Sequence, residues 1–204
     1  MSRIDTVIFD IGNVLLDWNP RHLYRKLFAD EERMEWFLAN ICTSAWNLEQ
    51  DRGRPFEAAV RDLIASHPEW EREIRAFDER WHEMIAGEIE GSIELLARLK
   101  RKGIRLFALT NFSREKYEET FSRFPFLREF EGIIVSGQEG MLKPDAAIFR
   151  LFLERYAREA SHCLFIDDSL RNVEGARRIG MEAVHFSDAE SLRRDLERLG
   201  LMEP

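Results

Sequence analysis

Thr6-Val-Ile-Phe-Asp10-Ile-Gly-Asn-Val14 decides the reading of this chain. Thr6 to Phe9 run without polar alternation, as in a strand covered on both faces. The run ends on a carboxylate, and a glycine turn follows at once. Open α/β sheets place their binding crevices at the carboxyl ends of strands. An aspartate there can act as nucleophile or metal ligand.

Four more segments read as strands: Ile104–Leu109, Gly132–Val135, Cys163–Ile166 and Ala183–Phe186. Helical stretches separate them. Ser113–Phe121 opens on a serine cap. Ala146–Arg158 follows Lys143-Pro-Asp145, where Asp145 can cap the helix or favour its positive end. Arg171–Ile179 stops at Gly180. Strands alternating with helices predict parallel pairing through right-handed crossovers.

The long interval between the first two strands departs from this rhythm. It reads as helix throughout, over Arg21–Phe28, Glu31–Asn40, Phe56–Ser66 and Glu69–Ile85, with Pro20, Pro55 and Pro68 marking starts. The expected fold is therefore α/β: a Rossmann-like parallel sheet with helices on both faces and an inserted helical cap. Residues 1–16 and 86–204 would form the core and 17–85 the cap, hinged near Leu16–Pro20 and Ala86–Gly91.

The other strand ends carry matching chemistry. Thr110 ends the second in Leu109-Thr-Asn111, Lys143 follows the third, and Asp167-Asp168 end the fourth in Ile166-Asp-Asp-Ser-Leu-Arg-Asn172. In a parallel sheet these ends share one edge and converge on one crevice. A nucleophile, a hydroxyl donor, a cation and two more carboxylates suit phosphoryl transfer. An aspartate can carry the group as an acyl phosphate, and the phosphoryl oxygens need compensating positive charge. Hard carboxylate oxygens favour Mg²⁺, which also binds substrate phosphate.

In order and content these motifs resemble the haloacid dehalogenase-like hydrolase superfamily, in its branch with a helical cap inserted after strand one. The resemblance covers nearly the whole chain. It implies that Asp10 is the nucleophile and that Thr110, Asn111 and Lys143 hold the phosphoryl group. It also implies that Asp168 binds Mg²⁺ directly, with Asp10, with Asp167 as ligand or outer-sphere partner, and with the main-chain carbonyl of Gly12. Asn172 would orient the acidic loop.

The sequence departs from that family at Gly12, where active phosphatases usually carry a second aspartate. That group protonates the leaving group and then activates water, a contribution of ~10²–10⁴-fold. Asp17, or a carboxylate on the cap, would have to replace it. Relatives with the Asp-x-Gly-Asn opening include bacterial phosphatases of α-glucose 1-phosphate, which directs the expectation toward a small phosphorylated metabolite such as a sugar phosphate. Two other readings share the same residues: a metal-independent 2-haloacid dehalogenase, which the acidic pair beside Asp10 disfavours, and a noncatalytic binding protein.

The insert should set specificity. Its most distinctive stretch is Trp46-Asn-Leu-Glu-Gln-Asp-Arg-Gly-Arg54, where Arg52 could sit over an anionic substrate or simply occupy a solvated loop. Trp36, Trp70 and Trp81 fall at helical spacings expected of cap core.

Composition narrows the partners. A net charge of −8 gives no long-range attraction for nucleic acid. No apolar run approaches the ~20 residues of a membrane span, and no basic leader precedes the first strand. Cys42 and Cys163 read as buried free thiols rather than a disulfide. These features point to a cytoplasmic protein acting on a small phosphate ester, with its oligomeric state open.

Overall fold

The computed structural model describes residues 4–203. Five parallel strands form the sheet: β1 (Thr6–Phe9), β4 (Arg105–Thr110), β5 (Gly132–Val135), β6 (Cys163–Asp167) and β7 (Glu182–His185), in the order β5-β4-β1-β6-β7. The sequence pattern located all five to within a residue or so.

Alternation along the strands divides the core between the two faces. Val7, Phe9, Leu106, Ala108, Leu164 and Ile166 pack with helices α6 (Glu90–Arg101) and α11 (Ala189–Arg198). Ile8, Phe107, Leu109 and Phe165 pack against α9 (Ala146–Arg155) and α10 (Leu170–Arg178). The buried Val, Leu, Ile and Phe side chains among these contribute roughly 1.5–3 kcal/mol each. A one-residue slip would exchange the two faces, so burial fixes the register.

That register builds the crevice. Phe9 lies opposite both Ala108 and Ile166, and the Asp10 N–H donates to the Ile166 carbonyl at 2.8 Å. Asp10, Thr110 and Asp167 therefore finish on the same edge of the sheet. Helices α7 (Arg114–Arg123) and α8 (Ser136–Glu139) begin just beyond β4 and β5. Ser113 caps α7, its hydroxyl accepting from the Lys116 N–H. Asp145 occupies the cap position of α9, but its side chain makes no capping bond there.

Between β1 and β4 the chain forms a second, antiparallel pair, β2 (Leu16–Trp18) and β3 (Ile85–Glu88). The stretches read as bare hinges are thus a two-stranded ribbon. Its strands are short and interrupted by Asp17 and Gly87, so no period-2 pattern announces them. Helices α1 (Arg21–Tyr24), α2 (Glu31–Asn40), α3 (Ser44–Asp51), α4 (Phe56–Ser66) and α5 (Glu71–Glu79) lie between. Tyr24, Phe37, Trp46, Phe56, Trp70 and Phe77 form their aromatic centre, with ring centroids 5.1 Å apart for both Tyr24–Phe37 and Trp46–Phe77.

Two aromatic expectations change. Trp36 is 51% exposed, lying on the outside of Trp70 rather than in the core. Trp81 is buried, but its ring meets Phe112 of the sheet domain at 5.1 Å, so it seals the junction. Both cysteines are buried and free. Among the described residues, no helix is long and apolar enough to cross a membrane.

Candidate active site

Lys143 organises the crevice. Its ammonium is fully buried, 2.9 Å from Asp10 Oδ1 and 2.7 Å from Asp167 Oδ2. The chain holds it there through Asn111. The Asn111 Oδ1 accepts the Lys143 N–H at 2.9 Å, and its Nδ2 donates to the Lys143 carbonyl at 3.1 Å. Sequence reasoning placed Asn111 on the phosphoryl group. In the structure both heteroatoms of its side chain brace the lysine loop.

Asp167 is saturated with donors: Lys143 Nζ, the Ser169 N–H at 2.8 Å, and Asn172 Nδ2 at 3.0 Å from Oδ1. Asn172 thus occupies the orienting position expected of it. Asp168 is more open, and Asn13 faces its carboxylate. Asn13 adopts a left-handed backbone (φ 55°), tolerable for asparagine, which turns the chain sharply after Asp10.

Carboxylate oxygens of Asp10, Asp167 and Asp168 all lie within 4.8 Å of one another. Burial raises the Asp10 carboxyl to about 7; Lys143 pulls it down while Asp167 and Asp168 push it up. Burial and Asp167 also raise Asp168. Burial opposes the Lys143 charge, yet Asp10 and Asp167 outweigh it and hold that pKa above its usual value. Three carboxylates against one ammonium leave an excess of negative charge among hard oxygen donors, a composition that fits a divalent cation such as Mg²⁺.

Thr110 supplies a different signal. It is 1% exposed, and its Oγ1 has no hydrogen-bond partner. An orphaned buried hydroxyl is costly unless a ligand completes it.

The insert closes over this edge through α3. Thr43 caps that helix, accepting from the Trp46 N–H, so Trp46–Asp51 is helix rather than a solvated loop. At its far end the Ser136 hydroxyl donates to the Asp51 carbonyl at 2.5 Å. Gly53 has φ 114°, and a Cβ there would stand 3.1 Å from the Gly137 carbonyl, so glycine permits the close approach. Arg52 does not join the cluster; half exposed, it lies 3.8 Å from Glu49. Asp17 is also elsewhere, exposed on the ribbon and 3.1 Å from His22 Nε2.

Beside the crevice is a cavity of about 400 Å³ lined by Asn13, Trp18, Pro20, Cys42, Thr43 and Asn47, among others. Trp18 Nε1 and Asn47 Oδ1 are buried without partners, one donor and one acceptor. Neither was singled out from sequence, since the wall is assembled from the ribbon and from α3.

A family model described as haloacid dehalogenase-like hydrolase matches residues 4–180. The chain belongs to this family. Sesquiterpene phosphatase astK of Aspergillus oryzae is 30% identical over 97% of both chains. Drimenol cyclase drtB of Aspergillus calidoustus is 25% identical over 96% of this chain, which spans only 36% of that longer protein. Among solved structures, the HAD family enzyme bt-2542 of Bacteroides thetaiotaomicron, in complex with magnesium and inorganic phosphate, superposes with a TM-score of 0.69 at 22% identity. It covers 91% of this chain and 95% of its own. This haloacid dehalogenase-like hydrolase differs from the expected phosphatase pattern at Gly12, and the backbone does not demand the glycine. Its φ lies outside the left-handed region, and an added Cβ would meet nothing within 4 Å.

Proposed function

We propose that this chain is a Mg²⁺-dependent phosphomonoester hydrolase that acts through an aspartyl phosphate on Asp10. The observation that carries the reading is Lys143 held between Asp10 and Asp167, with Asp168 completing a cluster of carboxylates. Asp10 and Asp168, with the Gly12 carbonyl, would hold the ion, and Asp167 would act from behind through Lys143 and Asn172. Bound there, Mg²⁺ would offset carboxylate repulsion and compensate phosphate charge. Lys143 and the Thr110 hydroxyl would take phosphoryl oxygens, and Asn111 would act by fixing Lys143. The magnesium and phosphate bound by bt-2542, and the phosphatase activity in the name of astK, support this reading.

The insert, residues 17–85, would act as a cap, and the cavity beneath it would take the leaving group. One unsatisfied donor and one acceptor suit a small alcohol with further polar groups, such as a sugar phosphate. Arg52, one residue past the end of α3, would have to swing away from Glu49 to read the rim of such a substrate.

The test is phosphate release with Mg²⁺ from sugar phosphates, a prenyl monophosphate and p-nitrophenyl phosphate. Chelation should stop turnover, and Asp10→Asn should abolish it while leaving the protein folded. Full activity under chelation, with halide released from 2-haloacids, would select the dehalogenase instead.

A further inference from the structure

Resting on the phosphatase reading, we propose that Asp51 is the proton donor and acceptor of the reaction, supplied by the cap in place of the carboxylate missing at Gly12.

Its position is built rather than incidental. Ser136 grips the Asp51 carbonyl, and the close approach of Gly53 to Gly137 presses this end of α3 onto the core. The Asp51 carboxylate faces the Ser113 N–H, three residues beyond Thr110, and feels the Lys143 ammonium across the crevice. Asn47 Nδ2 lies 3.3 Å from Asp51 Oδ2, and Asn47 also lines the leaving-group cavity. Asp51 therefore joins two places that a general acid must join: the phosphate crevice and the pocket for the departing alcohol.

Its surroundings suit proton transfer. Burial raises its pKa to about 7, against the opposing pull of Ser113 and Lys143. A general acid–base works best with a pKa near the working pH. Other charged groups nearby are engaged elsewhere. On the insert, Arg52 and Glu49 face each other; on α7, Glu115 accepts the Phe56 N–H and Arg114 lies near Glu118.

The chemistry balances in two steps. Asp10 attacks phosphorus, the bond from phosphorus to the leaving oxygen breaks, and that oxygen takes the Asp51 proton. Water then attacks the aspartyl phosphate and gives a proton to Asp51. The Asp10–phosphorus bond breaks, releasing inorganic phosphate and restoring both carboxyl groups.

The experiment compares kcat/KM of wild type and Asp51→Asn, with Mg²⁺, on an alkyl or sugar phosphate and on p-nitrophenyl phosphate. An activated phenol leaves without a proton, whereas an alcohol does not. The alkyl substrate should lose ~10²–10⁴-fold, and the aryl substrate at least tenfold less. The variant should also show a burst of nitrophenolate as phosphoenzyme accumulates, because the water-activating base is gone. Gly12→Asp in the Asp51→Asn background should restore alkyl turnover, since the turn has space for the side chain. Should Asp51→Asn fold poorly, Asp51→Ser gives the same ratio. Equal losses on both substrates, without a burst, would make Asp51 a latch for the cap and overturn the proposal. Undiminished alkyl turnover would overturn it too. Absence of any Mg²⁺-dependent phosphate release in wild type would instead overturn the phosphatase reading beneath it.

Discussion

Replacing Asp10 by Asn should stabilise the metal-free protein, and only above a defined pH. Asp10 is 7% exposed and shares its crevice with two other carboxylates. Its carboxyl rises from 3.8 to about 7 on folding, so the folded state holds the proton more tightly than the unfolded one. Well below pH 3.8 both states are protonated and the group costs nothing. Between there and pH 7 the unfolded chain ionises first, and stability falls as pH rises. Above 7 the penalty is complete, about 4 kcal/mol for a displacement of this size. Asp10→Asn keeps the shape and removes the charge, while Lys143 retains Asp167 at 2.7 Å. The variant should therefore be more stable than wild type at pH 8 by up to about 4 kcal/mol, a rise in Tm of roughly 10 °C for a chain of this length. At pH 4.5 the gap should shrink to about 1 kcal/mol. Asp51 carries a raised pKa too, but it burdens both proteins and cancels in the difference, whereas repulsion from Asp168 is already part of the Asp10 rise and is relieved with it. The assay is urea or thermal unfolding in chelator from pH 4.5 to 8.5. A difference independent of pH, or a wild type more stable at pH 8, would refute the electrostatic account.

Thr110→Val removes a buried hydroxyl that has no partner, so stability should stay within ~1 kcal/mol of wild type or rise, while kcat/KM falls by the ~1.5–3 kcal/mol of a hydrogen bond to a charged group; unchanged turnover in steady-state assays would show that this hydroxyl does not meet the phosphoryl group. Arg52→Ala should change unfolding free energy by less than ~0.5 kcal/mol, because its ion pair is long and exposed, yet raise KM for the preferred substrate more than for p-nitrophenyl phosphate. Equal effects on the two substrates would remove Arg52 from recognition.

The sheet was legible because β1, β4, β5 and β6 each hold a run of apolar residues without polar alternation, with a polar residue ending the run or following it at once. Thr6–Phe9 and Gly132–Val135 coincide with the observed strands, and β6 reaches one residue further to include Asp167. The polar strand ends then predicted a shared crevice, and Lys143 does meet Asp10 and Asp167 there. Less legible were features whose cause lies far away in sequence. The ribbon of β2 and β3 is fixed by pairing across the whole insert, with Leu16 opposite Glu88. Helix α3 carried a local signal, Thr43 before Ser44-Ala-Trp46, but its mixed polar content resembled a loop. The family resemblance implies a phosphoryl contact for Asn111; that its side chain also braces Lys143 appears only when the lysine loop folds back onto it.

Asp51 was the hardest to see, and the reason bears on how the molecule is organised. Nothing in Glu49-Gln-Asp-Arg-Gly53 marks a carboxylate for chemistry. Its significance comes from Ser136, Ser113 and Lys143, all supplied by the core. In a protein with a carboxylate at position 12, the proton donor rides on the same turn as the nucleophile and is present whether the cap is open or closed. Here the core would hold the charged groups for the phosphate, and the proton would come on an inserted helix. The Asp51 environment exists only while α3 lies against the loops after β4 and β5. Lifting α3 away would expose the carboxyl to water and return its pKa toward the ordinary range, so that near neutral pH it would arrive without its proton. Cap closure would then do two things at once, shutting water out and creating the acid. A substrate that fails to draw the cap down would meet a nucleophile with no proton donor, and selectivity would then follow from where Asp51 sits.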